Sequence, residues 1–335
     1  MTDIKEDIKQ RAEKARKFFF EQGDLLIHPQ DPLRDAALHY PRGGGKGFRP
    51  AMVMLSCGAV GGKEDDAIPV AAAVEALHVS SLLHDDWMDN DETRRGQMAA
   101  WKKWDPTTAI LAGDVLLGFS FKIIKMLHNT SLEVKFEVAN QLALKYIELC
   151  HGQTLDIGFT TRDPKDISNE EVNHMQYLKT GVLFEFCCVA GAMIGLNTTS
   201  HKYIDLLRKY AKLAGTAFQI QDDILGLVGD SDKLGKPVGG DIREGKRTTI
   251  AIKAINSANA EQKNEIMRGF GNPNATEDDF RHTLHVFKEL GAIEDARNGA
   301  LAMANEALLL LKDLPESPQK DVLANFARYM IDRDM

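Results

Sequence analysis

Little in this sequence of 335 residues suits it to the cell exterior, to nucleic acid or to a β-sheet. Cysteine is scarce, with four in all, Cys57, Cys150, Cys187 and Cys188. They sit in apolar stretches without the paired spacing of a metal site, and neighbouring Cys187 and Cys188 are poorly placed to bridge each other. Buried free thiols in a reducing compartment are the expectation. Basic residues are outnumbered, 41 Lys and Arg against 49 Asp and Glu, for a net charge of −8 at pH 7. With no basic stripe, nucleic acid is excluded as the main partner. Met1 to Lys17 is densely charged where a signal peptide would be apolar. No uninterrupted apolar run reaches the roughly 20 residues that span a bilayer. A cytoplasmic protein without a transmembrane segment is expected. Period-two alternation, Asn-Gly hairpin turns, low-complexity tracts and solenoid repeats are also missing.

What remains is helical. Long proline-free stretches rich in Ala, Leu, Ile, Glu and Lys follow Ile68, divided by Pro69, Pro106, Pro164, Pro237 and Pro273, and the chain reads as all-α in one domain over residues 1–335. Residues 4–21 place Ile8, Ala12, Ala15, Phe18 and Phe19 at helical spacing, an amphipathic helix packing on the body. Gly43-Gly44-Gly45-Lys46-Gly47-Phe48-Arg49-Pro50 is a glycine-rich turn running into a helix, with Pro50 suited to its first turn. Lys46 and Arg49 would then project beside free backbone N–H groups, a place where anions bind. Ser168-Asn169-Glu170-Glu171 opens another helix as a capping box. From Gly229 to Lys246 the composition turns to Gly, Asp and Lys, too long for a simple helix-helix turn and of the kind that is usually functional or disordered.

The stretch from Ser80 to Gln97 carries the chemistry. Ala71 to Leu83 is a buried helical run, so Asp85, Asp86 and Asp89 fall at a helix C-terminus, where partial negative charge already collects. Asp85 and Asp89 share a face with Cβ atoms roughly 5–6 Å apart, a like-charge pair that costs stability unless a cation joins it. Mg²⁺ accepts one or two carboxylates plus phosphate oxygens, which suits that face. Arg94 and Arg95 follow at once, and guanidinium forks grip phosphate. A second aspartate pair, Asp222-Asp223, closes another apolar helical run from Leu213 to Ile220. Two acidic helix ends of this kind would wall the mouth of an apolar helical bundle. No GxxxxGK[ST] loop and no Ser/His/Asp or Cys/His arrangement competes. Metal ions neutralise charge on a departing oxygen, and a dry cavity with oxygen dipoles shelters the carbocation left when an allylic diphosphate ionises.

On these residues the chain resembles the trans-isoprenyl diphosphate synthases, the polyprenyl synthetase family, and within it the archaeal geranylgeranyl-type members. The likeness runs from about Gly43 to Thr249. Asp85-Asp86-Trp87-Met88-Asp89 matches the first aspartate-rich motif without the insertion some members carry, and Asp222-Asp223 the second, with Gly226 in place of its closing aspartate. The resemblance implies the isoprenoid synthase fold, one large helical bundle around a central apolar cavity. It implies Mg²⁺, three ions during turnover, on Asp85, Asp89 and Asp222. Asp223 would be a weaker ligand, and Asp156, in a Gly-Gln-x-x-Asp segment with Gln153, would support the metal site. Lys46, Arg49, His78 and Arg95 would bind isopentenyl diphosphate; Arg94, Lys179, Lys236 and Lys246 the allylic diphosphate. Lys179, Thr180 and Gln219 would be catalytic, the last two turning oxygens toward the carbocation. Many members have arginine at the position of Gly47, so diphosphate affinity there would be weaker.

The reaction so implied is head-to-tail condensation of isopentenyl diphosphate with dimethylallyl, geranyl or farnesyl diphosphate, repeated until the tail meets the pocket floor. In the family an aromatic at the position of Ser80 closes the pocket. Ser80 and Ser81 are small, so a product of geranylgeranyl length or longer is expected, with Leu77 and Phe119 as floors. A homodimer is implied by the resemblance alone. Two alternatives stay open: a terpene cyclase, against which the second anion group of Lys46, Arg49, His78 and Arg95 counts, and a non-catalytic subunit of a heteromeric synthase, which the missing acid at Gly226 favours.

Overall fold

The computed structural model describes residues 4–26, 28, 30–228 and 239–331. The long helices are α1 (Ile4–Leu26), α2 (Phe48–Ala59), α3 (Ile68–Met88), α4 (Pro106–Ile124), α5 (Leu132–Thr160), α6 (Asn169–Gln176), α7 (Val182–Leu196), α8 (Lys202–Val228), α9 (Thr249–Ser257), α10 (Ala260–Gly269), α11 (Glu277–Glu289), α12 (Ala292–Leu311) and α13 (Pro318–Ile331). Among the described residues the strands are two residues long each, Thr93–Arg94 paired antiparallel with Gln97–Met98. The all-α expectation holds. The hairpin escaped it because its turn is Arg95-Gly96 where Asn-Gly would be the usual signal.

Local chemistry sets the helix starts. Pro69 sits in the first turn of α3, where its missing N–H costs nothing. Asp105 caps α4 by accepting from Thr108 N–H at 2.9 Å. The capping box at α6 forms as expected, with Ser168 Oγ and Glu171 satisfying each other's backbone. Between α6 and α7 the helix widens into a π-turn, Tyr177–Gly181, a deformation frequent at functional sites.

The described chain divides into two compact units. The first comprises residues up to Leu144, then Leu183–Arg208 and Leu311–Asn325. In it α3 packs on α4, α2 and α1, and α1 seats Ile8, Ala15 and Phe19 as the amphipathic pattern predicts. The second comprises Lys145–Val182, Lys209–Leu310 and the chain from Phe326. Its core joins α8 residues such as Ile220 and Ile224 to Ile250 and Ala254 of α9, Ile266 of α10, Phe287 of α11 and Ala304 of α12.

Three helical stretches are long and apolar enough to cross a membrane by length and composition, Glu64–Met88, Pro106–Ile124 and Asn169–Leu196. The expectation from uninterrupted apolar runs had passed over them. Their apolar windows are 72%, 44% and 83% buried inside the protein, so packing accounts for the first and third. Cys57, Cys187 and Cys188 are buried free thiols, but Cys150 is exposed on α5, contrary to expectation. Cys150 shares an exposed face with Ile147 one turn earlier, while its neighbour Leu149 is turned inward.

Candidate active site

In the first unit α3 ends at Met88, with Asp89 as its cap donating N–H to Asp85 O at 2.7 Å. The three acids have different surroundings. Asp86 is fully buried and accepts from Tyr40 OH at 2.5 Å and Arg94 Nε at 2.8 Å. Asp85 is half-buried and Asp89 exposed. Burial, then Asp86, raises the pKa of the Tyr40 phenol, which also accepts from Ala100 N–H at 3.0 Å. The outer pair is thus on the accessible side, and the inner acid ties the helix end to the loops around it.

Arg94, expected to meet the allylic diphosphate, is paired with two carboxylates. Its Nη2 donates to Asp86 and, at 2.8 Å, to Asp91 Oδ2. Burial opposes its charge, but Asp86 and Asp91 together outweigh that and raise its pKa. Arg95 occupies the left-handed region at φ 53° in the hairpin turn, followed by Gly96 at 72°. That conformation costs a side chain about 1–2 kcal/mol, and such strain gathers at functional sites. It aims the Arg95 guanidinium inward, where Nη1 donates to Tyr40 O at 3.2 Å and to Gly44 O, and Nη2 lies 3.9 Å from Glu75.

Arg49 and His78 come together as expected, Nη1 to Nε2 at 3.2 Å, with the Arg49 guanidinium 5.3 Å from the centre of the Phe184 ring. Burial and then the Arg49 charge hold the imidazole pKa well below its usual range, so the ring is neutral. Burial raises the Glu75 pKa against the pull of Arg95, Arg49 and Arg16. Lys46 is exposed and, with Arg16 and Glu75, borders a cavity of about 230 Å³ beneath α1. Gly47 has φ 68°, and a Cβ there would collide with that of Ala12 on α1. A side chain at 47 is therefore excluded by the helix packed over the loop.

The second unit assembles the other expected residues. Asp223 is buried and accepts from Gln176 Nε2 at 2.6 Å and Gln219 Nε2 at 2.9 Å. Burial, then the neighbouring Asp241, pushes its carboxyl up to about 7 against those two amides and Lys246. Asp222 is half-buried. The pattern of the first motif repeats: one accessible acid beside one consumed internally. Lys179 lies in the π-turn and donates to Asp156 Oδ2 at 2.5 Å. Gly152, one turn before Asp156, lets α5 press against that turn, since a Cβ would strike Lys179 N. Asp156, Lys179, Thr180, Gln219, Asp223 and Lys246 all line one cavity of about 60 Å³. Burial opposes the charge of Lys246, but Asp241, Asp223 and Asp156 raise its pKa. Lys236 lies outside the described residues. Gln153 is buried.

Ser80, Ser81, Leu77 and Phe119 are all buried in the first unit. Ser81 Oγ donates to His78 O at 2.9 Å, and Ser80 Oγ has no hydrogen-bond partner among the described residues. The Phe119 ring meets Phe19 of α1 edge-on at 5.2 Å between centroids, so Phe119 is a core contact whatever else it does. Among the described residues no three His, Cys, Asp or Glu side chains converge as a ready-made metal cage.

Tyr40, Glu75, Gln176 and Asp241 were missed in the sequence. Each acts through a neighbour distant in the chain, and nothing in its local sequence announces that. Asp241 alone gave a hint, as an acid in the loop already marked functional.

Fold and groups together define a class: an all-α protein with aspartate pairs on two helices and lysines and arginines in both units. A family model described as Polyprenyl synthetase matches residues 30–287, and the chain belongs to that family. The chain is 38% identical over 309 residues to the short chain isoprenyl diphosphate synthase of Methanothermobacter thermautotrophicus, covering 92% of each chain. The crystal structure of geranylgeranyl pyrophosphate synthetase from Pyrococcus horikoshii aligns with a TM-score of 0.91 at 37% identity, covering 99% of this chain and 98% of that one. A geranylgeranyl pyrophosphate synthase from Corynebacterium glutamicum, complexed with isoprenyl diphosphate and magnesium, aligns at 0.86 and 25% identity, covering 99% of this chain and all of that one. The fold is that of the prenyl synthases.

Proposed function

We propose that the protein is a Mg²⁺-dependent trans-prenyltransferase that condenses isopentenyl diphosphate with allylic diphosphates to a product of geranylgeranyl length or longer. The observation that carries this reading is the paired anion chemistry within a polyprenyl synthetase chain: Arg49, His78 and Arg95 grouped in one unit, Lys179 and Lys246 lining a cavity in the other.

The residues fit Mg²⁺. Asp85, Asp89 and Asp222 are carboxylates on the accessible sides of their helices, and a hard cation keeps several positions for water and phosphate oxygens, so no closed protein cage is required. When bound, Mg²⁺ neutralises charge developing on the departing diphosphate. Lys179 and Lys246 hold that diphosphate, with Asp156 keeping the Lys179 ammonium in place. Its allylic C–O bond breaks, and Thr180 with Gln219 turn oxygen dipoles to the carbocation. Arg49, His78 and Arg95 hold isopentenyl diphosphate while its double bond forms the new C–C bond, and the released diphosphate takes the proton. Neutral His78 serves as a hydrogen-bonding group there, since its charge is suppressed.

The family match runs unbroken across 30–287, which supports one domain. On α5, Leu132 is 82% and Phe136 76% exposed; apolar surface of that kind marks interfaces and supports a homodimer, to be checked by light scattering after size exclusion. Buried free thiols support a cytoplasmic location. The activity is tested by supplying farnesyl and isopentenyl diphosphates with Mg²⁺ and analysing products by mass spectrometry. A prenyl diphosphate longer than farnesyl is expected. Cyclic hydrocarbons or no turnover would overturn the reading in favour of a cyclase or a silent subunit.

A further inference from the structure

Gln176 closes α6 directly before the π-turn that carries Lys179 and Thr180, and its carboxamide joins two elements far along the chain. The NH₂ end donates to Asp223 Oδ2 on α8 at 2.6 Å, and the oxygen accepts at 2.8 Å from the hydroxyl of Thr249, the first residue of α9. Thr249 Oγ1 also lies 3.1 Å from Asn173 Oδ1, one turn back on α6. The other oxygen of Asp223 takes the NH₂ of Gln219 at 2.9 Å. A carboxylate accepts and has nothing to donate, so Gln219 turns its NH₂ to Asp223 and its oxygen the other way. Gln176, Gln219 and Asp223 line one cavity with Lys179 and Thr180. An end-for-end turn of Gln219 would present N–H dipoles to a cation there, the wrong sign for stabilising it.

We propose that Gln176 is a positioning residue for the condensation: through Asp223 it holds the Gln219 carboxamide with its oxygen toward the reacting carbon, and Thr249 fixes the orientation of Gln176 itself. The inference rests on the prenyltransferase reading above and adds a residue to that same site. Donors on both oxygens fix the plane of the Asp223 carboxylate. With Gln219 alone bonded, that carboxylate turns about its Cβ–Cγ bond and the amide turns with it.

The test is the single-turnover rate of farnesyl elongation by the full-length protein with Mg²⁺ and isopentenyl diphosphate. Gln176→Leu removes both hydrogen-bonding ends and lowers that rate at least about tenfold, the scale of a misplaced reacting geometry, with KM for either diphosphate unchanged. A double-mutant cycle identifies the route. Gln219→Leu alone slows the reaction, and adding Gln176→Leu to it slows the reaction no further. A second, equal loss in the double variant overturns the proposal, because Gln176 would then act by another path; so does an unchanged rate in either single variant. Should Q176L melt below the assay temperature, Thr249 carries the test: Thr249→Val slows elongation and Thr249→Ser restores it, whereas a wild-type rate in T249V contradicts the proposal. No elongation by the wild-type protein would instead overturn the reading beneath, which separates the two failures.

Discussion

Arg49 Nη1 meets His78 Nε2 at 3.2 Å, a contact between a fixed cation and a buried imidazole. Burial and the adjacent guanidinium depress the imidazole pKa in the folded chain, whereas in the unfolded chain it titrates near 6.5. As pH falls below about 6.5 the unfolded state takes up a proton that the folded state refuses, so stability is lost, by up to about 1.4 kcal/mol per pH unit for one proton. Above that pH the effect vanishes. His78→Gln should flatten this part of the urea-unfolding profile between pH 7 and pH 5, and an unchanged slope would mean that His78 protonates in the fold.

Tyr40 bonds both Asp86 and Ala100 N–H. Tyr40→Phe leaves the buried Asp86 carboxylate and the Ala100 amide each one partner short, a loss of about 1–3 kcal/mol readable as a lowered urea midpoint. Midpoints that coincide would show that the loop does not depend on this bond.

Arg95 combines a strained backbone with the phosphate-binding role proposed for it. Asparagine tolerates φ near 53° but offers no guanidinium fork. Arg95→Asn is expected to raise KM for isopentenyl diphosphate at least about tenfold, the loss of one charge-assisted pair of about 1.5–3 kcal/mol. KM for the allylic substrate should barely move. Equal effects on both would argue that Arg95 shapes the fold instead.

Ser80 is fully buried on α3 with its hydroxyl unpartnered among the described residues. Ser80→Phe puts a large ring at this position, and the product distribution by mass spectrometry should shift to shorter prenyl chains. An unchanged distribution removes Ser80 from the pocket wall.

Much of this was readable in the residues because it is local. A capping box at Ser168 or an aspartate pair closing an apolar run is written within a few positions, and helix periodicity does the rest. The roles of the acids were harder to read. Asp85 and Asp86 are adjacent and identical in type, yet one is accessible and the other is clamped by Tyr40 and Arg94, partners 46 and 8 positions away. Arg94 and Arg95 are likewise adjacent and identical in type, yet the hairpin turns them to different partners, Asp86 and Asp91 for one and the Tyr40 and Gly44 carbonyls for the other. The π-turn at Lys179 has no sequence signature, since it arises where α5 presses close at Gly152.

The central claim is that the accessible aspartates hold the metal that drives diphosphate departure. Its most direct test is the farnesyl elongation rate with Mg²⁺ in Asp85→Ala and Asp222→Ala, each alone. Each should lower kcat about a thousandfold, roughly 4 kcal/mol of lost charge stabilisation, with the fold intact by circular dichroism. Wild-type turnover in both variants would contradict it.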